Sequence, residues 1–205
     1  MKSNFLNRGA ITAGLLALLW SATALAQSAM QPTWVKDGVD WSHYTKYLVK
    51  PLVIDDVQLV PPPWAENPAE WKLEVQNPGM VQQLFDDAIR AELAEDGADV
   101  LADAPGPGVL EVEVEILSVT PWLRPGSASQ VDGMNVSTLG SGELSATVEM
   151  RDAQTRELLA MWAGEPTVGD EYQEFTRENN LNNLEKMFVG FAKRLDAALE
   201  RVHGK

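Results

Sequence analysis

Carboxylates are the most numerous reactive side chains in this sequence, and their spacing decides what chemistry they can do. Asp and Glu number 30 against 16 Lys and Arg in 205 residues. Glu111, Glu113 and Glu115 recur at every second position. On a strand that spacing projects three carboxylates from one face about 7 Å apart, from the ~3.4 Å rise per residue. Such a row could gather Ca²⁺ or a cationic ligand, because hard cations take several oxygens. A flat row does not converge on one ion, and no EF-hand spacing occurs. The expectation for these three is therefore the solvated face of a half-buried sheet. Asp55-Asp56 and Asp86-Asp87 are adjacent pairs. Neighbours on a strand point to opposite faces, and neighbours on a helix diverge by about 100°. Neither pair alone can flank one bond as carboxylate-pair glycosidase chemistry requires. The two histidines, His43 and His203, cannot build a multi-histidine metal centre. No Gly-x-Ser-x-Gly is present for a serine nucleophile. With no cysteine, thiolate nucleophiles, thiolate zinc sites, iron–sulfur clusters and disulfides are excluded. No catalytic residue, metal ligand or cofactor is predicted.

The aromatics say more. Trp34, Trp41, Trp64 and Trp71 fall within 38 residues, three of them in segments without periodicity. Pro61-Pro62-Pro63 precedes Trp64. Three prolines lack donors for a sheet ladder and favour a polyproline II path, so this stretch to Asn77 reads as a surface excursion. Aromatics there could stack on sugars or grip an extended partner. The blander alternative is that they clamp the arm and the proline loop onto a sheet. Pro61, Pro62, Pro63, Trp64 and Trp71 are the candidate binding residues. His43, between Trp41 and Tyr44, is expected to pack.

The elements that position these residues follow from periodicity. Tyr47 to Leu59 is rich in Val, Ile and Leu and reads as a strand broken or bent near Pro51. Asn77-Pro78 makes a helix start, with Asn as cap and Pro at the first helical position. Val81, Leu84, Phe85, Ala88, Ile89 and Leu93 then form one apolar stripe, and Gly97 suits the C-terminal stop. Ala98 to Asp103 is a short strand candidate, closed by the turn Pro105-Gly106-Pro107-Gly108. From Val109 to Thr120 the pattern alternates strictly, with Leu110, Val112, Val114 and Ile116 opposite the glutamates. Residues 124–142, with Asp132-Gly133, read as a long loop with room for a short strand. Leu144, Ala146, Val148 and Met150 alternate again, and Asp152 to Arg156 turns the chain into Leu158–Ala163, a hairpin. A second helix, about Leu181 to Val202, carries Leu181, Leu184, Phe188, Phe191, Leu195, Ala198 and Val202 on one stripe. These pieces predict an α+β fold: a mostly antiparallel, mixed sheet of four to six strands with two amphipathic helices on one face.

Lys2 and Arg8 precede an uncharged stretch from Gly9 to Leu25, and Ala24-Leu25-Ala26 offers a small-x-small cleavage pattern. Residues 1–26 read as a cleaved signal peptide, 27–42 as an N-terminal arm and 43–205 as one α+β domain. Losing Lys2 and Arg8 takes the net charge from −14 to −16 over 179 residues. A chain of that size buries ~70% of its unfolded surface and holds a core without disulfides. Acidic excess repels nucleic acid and anionic lipid. Residues 86–115 carry ten acids against Arg90 alone, whereas 186–205 carry five bases and two acids, so the closing helix is expected to meet part of that acidity.

Tyr44-Thr45-Lys46-Tyr47-Leu48-Val49-Lys50-Pro51, an amphipathic helix, and Pro105-Gly106-Pro107-Gly108-Val109-Leu110 opening an alternating strand occur in that order. With the hairpin centred on Asp152-Ala153-Gln154-Thr155-Arg156-Glu157-Leu158 and the final helix, the chain resembles the bacterial domain of unknown function 3313, DUF3313, over nearly its whole mature length. The resemblance implies an exported envelope protein, often a lipoprotein, of unassigned activity, and it brings no catalytic residues. This chain lacks the cysteine that would carry a lipid, so no lipid anchor is expected. The sequence thus predicts a non-enzymatic, periplasmic accessory or protein-binding module with an envelope protein as partner. The alternatives are an envelope hydrolase whose distant carboxylates converge in space and, less favoured, a divalent-cation binder.

Overall fold

The computed structural model describes residues 32–72, 77–95, 100–123, 130–131 and 134–202. The leader and its cleavage point, Gly97, Asp132-Gly133 and His203 lie outside the described residues. In chain order the strands and helices are β1 (Trp34–Val35), β2 (Lys46–Val49), β3 (Gln58–Leu59), α1 (Pro78–Glu95), β4 (Val109–Pro121), β5 (Gln130–Val131), β6 (Met134–Asn135), β7 (Ser137–Leu139), β8 (Gly142–Asp152), β9 (Leu158–Gly164), β10 (Thr167–Val168), β11 (Tyr172–Glu174) and α2 (Arg177–Val202). The fold is α+β.

The main sheet runs β1-β9-β8-β4-β2, with β10 beside β8 and β3 further along β4, seven strands among the described residues. Four to six were expected. The surplus comes from two-residue strands such as β1 and β10, which are too short to show alternation. The sheet is mixed because β2 and β3 run parallel to β4 on one edge, while β8, β9 and β1 are antiparallel. The strand read across Tyr47–Leu59 is thus broken after Val49, with only a single bridge at Val53 to Glu115 before β3. The candidate strand at 98–103 shrinks, in its described part, to one bridge between Leu101 and Tyr47. Within the N-terminal arm, Trp34 and Val35 pair with Met161 and Ala160 as an edge strand.

Alternation decides which sheet face is buried. Leu110, Val112, Val114 and Ile116 are buried, opposite Met150 and Val148 of β8. Phe85, Ile89 and Leu93 of α1 and Phe188, Leu195 and Leu199 of α2 complete that core. The helices meet through Phe85, whose ring stands edge-on to Phe188 at 5.6 Å, a favourable aromatic geometry. The start of α1 is as the sequence predicts, with Asn77 Oδ1 accepting from Met80 N at 3.1 Å. The side chain thereby satisfies one of the first-turn donors.

Candidate functional site

The most exposed large apolar side chains come together at one end of the fold. After β3, Val60 N still donates to Val119 O at 2.9 Å, so the proline run leaves the sheet beside the end of β4. Pro62 is buried and its carbonyl accepts from Ala65 N at 2.9 Å, which turns Trp64 outward. β4 ends at Pro121, and Trp122 follows. Two parallel strands that stop side by side therefore bring Trp64 and Trp122 together, with ring centroids 5.5 Å apart and planes inclined by 31°. Trp122 Nε1 donates to Leu139 O at 2.9 Å, fixing its ring against β7.

β11 pairs with β7, and Tyr172 stands opposite Leu139. Gly140 N donates to Glu171 O at 3.0 Å and Phe175 N to Val136 O at 2.8 Å. By antiparallel alternation Tyr172 and Leu139 form a non-hydrogen-bonded pair, the type whose side chains lie closest on a shared face. The result is a row: Trp64, Trp122, Leu139, Tyr172. Trp64 is 59%, Leu139 57% and Tyr172 75% exposed.

A polar knot holds this row in place. Ser141 Oγ donates to Asn180 Oδ1 at 2.7 Å and accepts from Asn183 Nδ2 at 2.8 Å, tying α2 to the start of β8. Ser141 N donates to Val168 O at 2.7 Å, and Ser141 O accepts from Trp122 N at 3.1 Å. Asn183 is buried, and its hydrogen bonding makes that burial tolerable. Gly140 at φ +71° and Gly169 at φ +86° allow the close approach; a Cβ on Gly140 would lie 2.2 Å from Gly169 O.

Of the predicted binding residues, the structure places Trp64 in this row, exposes Pro63, half-buries Pro61 and buries Pro62. Trp71 is half-buried at the end of the 3-10 turn Pro68–Glu70, where its N–H donates to Pro68 O at 3.1 Å. Trp122, Leu139 and Tyr172 escaped the sequence reading because they lie in short or irregular segments, where period carries no signal. His43, which was expected to pack, is exposed and touches Tyr44 only edge-on, at 5.3 Å.

The acidic row departs from expectation. Glu111, Glu113 and Glu115 do share the sheet face away from the helices, but Glu111 is only 1% exposed. Its carboxylate is ion-paired with Arg156 of the β8–β9 turn. Arg156 reaches it from a left-handed backbone, φ 64°, a conformation that costs a side-chain-bearing residue about 1–2 kcal/mol. The hairpin, not the closing helix, thus answers this carboxylate. Glu113 sits directly opposite Glu149, whose carboxylate Arg151 holds at 2.6 Å. Among the described residues no group of three or more metal-ligating side chains converges.

Beside the turn, Tyr44 Oη donates to Asp152 Oδ2 at 2.9 Å. Asp152 Oδ1 also accepts from Gln154 N at 2.9 Å and Thr155 N at 2.6 Å. Burial pushes the Asp152 carboxyl up, but the bonds from Thr155, Tyr44 and Gln154 outweigh it and hold it below its usual range. Tyr44 moves the other way, to about 12, through burial, its bond to Asp152, and the charges of Asp152 and Glu157.

Two carboxylates do share a hollow. Asp86 and Asp103 line it with Val49, Ile89, Arg90, Leu101 and Ala102. Its volume is ≈ 50 Å³, against ~300–1,000 Å³ for a typical small-molecule pocket. Asp86 is already occupied, accepting from Gln82 Nε2 at 2.8 Å. Among the described residues no helix is long and apolar enough to cross a membrane.

Among solved structures, the fold is similar to protein XCC0632 from Xanthomonas campestris, a DUF330 member, at 11% identity and TM-score 0.46, covering 87% of this chain and 92% of that one. The PelC dodecamer from Paraburkholderia phytofirmans is similar at 8% identity and TM-score 0.34, covering 80% of this chain and 98% of that one. Likeness at this level bears on neither activity nor partners. No curated protein matches the chain. The model of DUF3313, a protein family of unknown function, matches residues 18–195, and the chain belongs to that family.

Proposed function

We propose that this protein is a non-enzymatic accessory component of the bacterial cell envelope, exported to the periplasm, that holds a partner protein on the row Trp64, Trp122, Leu139 and Tyr172. The observation that carries the reading is the exposure of Trp64, Leu139 and Tyr172 around the half-buried Trp122. Large apolar side chains left in water side by side, on backbone tied down by Ser141 and Asn183, are the usual mark of a binding surface. The charged start, the uncharged stretch and Ala24-Leu25-Ala26 support export. The Asp86–Asp103 hollow is too small for a polymeric substrate, so the hydrolase alternative gains nothing from it.

Crosslinked capture from envelope extracts tests the reading. The native chain is expected to retain a discrete partner, and Trp64→Ala and Tyr172→Ala to lose about nine-tenths of it, the effect of removing central aromatic anchors. Capture indifferent to both substitutions would refute the surface.

A further inference from the structure

We infer that the turn Asp152–Glu157, between β8 and β9, is an acid-sensitive clasp that fastens the N-terminal arm to the edge of the main sheet. The arm has little else to hold it. From Pro32 to Gly38 no side chain is buried, and Trp34 and Val35 are 43% and 40% exposed. Outside the β1–β9 ladder, Thr33 N donates to Met161 O and Lys36 N to Leu159 O, each at 2.8 Å. Thr33 Oγ1 accepts from Ala163 N at 3.0 Å. Burial starts only after Gly38, where Val39 and Trp41 pack against the core. Gly38, at φ +74° with open space around it, thus divides a rooted chain from a strap lying on β9. Segments with few buried contacts on a sheet edge are the first to open.

The remaining attachments are electrostatic and converge on one turn. Glu157 is ion-paired with Lys36 of the arm. Asp152 accepts from Tyr44 Oη, at the root of the arm, at 2.9 Å. Arg156 is ion-paired with buried Glu111 from its left-handed backbone, and Arg151 Nη1 donates to Arg156 O at 3.2 Å. The shape of the turn therefore depends on a carboxylate as well. Arg151 also holds Glu149, His43 stands edge-on to Tyr44, and exposed Asp37 follows Lys36. At neutral pH the carboxylates of Glu111, Glu149, Asp152 and Glu157 surround the cations of Lys36, Arg151 and Arg156. Paired carboxylates contribute stability above the carboxylate range and lose it as pH falls. Once acid has neutralised them, the cations are left facing one another and His43 joins them, so attraction across the arm gives way to repulsion. The strap then lifts while buried apolar side chains still hold the core, and the edge of β9 is uncovered.

Native-state amide hydrogen exchange of the purified protein, corrected for the intrinsic pH dependence of exchange, tests the clasp. The amides of Thr33, Lys36 and Ala163 report on the arm, and those of Val114 and Val148 on the core. From about pH 7 to about pH 4, across the ordinary carboxylate range, arm opening is expected to rise about fivefold more than core opening. Glu157→Gln should raise arm opening about threefold already at neutral pH and flatten its acid response. Lys36→Gln should do the same, which ties the effect to the ion pair rather than to one position. Glu185→Gln, an exposed carboxylate on α2, should do neither. Core exchange in each variant shows that it has folded. Arm amides that open in step with the core across the whole range overturn the clasp, and so does an acid response left intact by both Glu157→Gln and Lys36→Gln.

Discussion

The Tyr44 hydroxyl must keep its proton to go on donating to Asp152. Its ordinary pKa of 10.0 rises to about 12 in the folded protein. Between those values the unfolded chain gives up the proton and the folded protein keeps it. The stabilisation is therefore complete below pH 10 and is lost as pH rises toward 12, by on the order of 2 kcal/mol. Thermal melting across this range should show the native midpoint falling. Tyr44→Phe should start about 1 kcal/mol less stable, for the lost hydrogen bond, and fall less steeply. Parallel alkaline falls in the two proteins would remove Tyr44 as the cause. Asp152 acts in the opposite window: its pKa is lowered, so its contribution is present above the ordinary carboxylate range and disappears as pH falls through the folded value. Neither residue could be singled out from sequence. Tyr44 sits beside a histidine and Asp152 in a turn, and only folding sets them in contact.

Elements differ in how plainly they can be read. α1, β4, β8, β9 and α2 emerge from periodicity to within a few residues, because each has a long buried stripe or face. β1, β7, β10 and β11 do not, since two or three residues cannot establish a period. They are held by the turns between them, above all the Gly140-Ser141-Gly142 segment. Gly38, outside that segment, and Gly140, within it, separate two costs. Both have positive φ, +74° and +71°, but a Cβ on Gly38 meets nothing within 4 Å, while one on Gly140 meets Gly169 O at 2.2 Å and Val168 O at 2.6 Å. Gly38→Ala should cost about 1 kcal/mol for the left-handed backbone alone. Gly140→Ala should cost about 3 kcal/mol or more, because backbone must move. Urea denaturation of the two variants measures the difference. Equal losses would show that the turn accommodates the extra atom.

At the scale of the whole molecule, acidity is arranged by register rather than spread evenly. β4 places Glu111 opposite Arg151 and Glu113 opposite Glu149, while the turn carries Arg156 over Glu111. In α2, Lys186 serves elsewhere, on Glu171 at 3.0 Å. The proposed export is also tested on the whole chain. If the leader is removed after Ala26, protein recovered from a periplasmic fraction begins at Gln27, and its intact mass lacks residues 1–26. Full-length mass in a membrane fraction would instead mean a retained anchor.

The sequence by itself determined what is local or additive. It excluded thiol chemistry by composition, marked a candidate export signal, defined the long helices and strands, and singled out Trp64 as a surface aromatic. The tertiary structure alone decided which distant residues share a surface. Trp64 meets Trp122 because β3 and β4 run parallel and end together. Tyr172 joins Leu139 through pairing between two strands of three residues each. Glu111, which the same alternation assigns to an open face, is buried because a left-handed turn residue reaches across to it. Such contacts depend on sheet register and turn geometry, and neither leaves a period in the sequence.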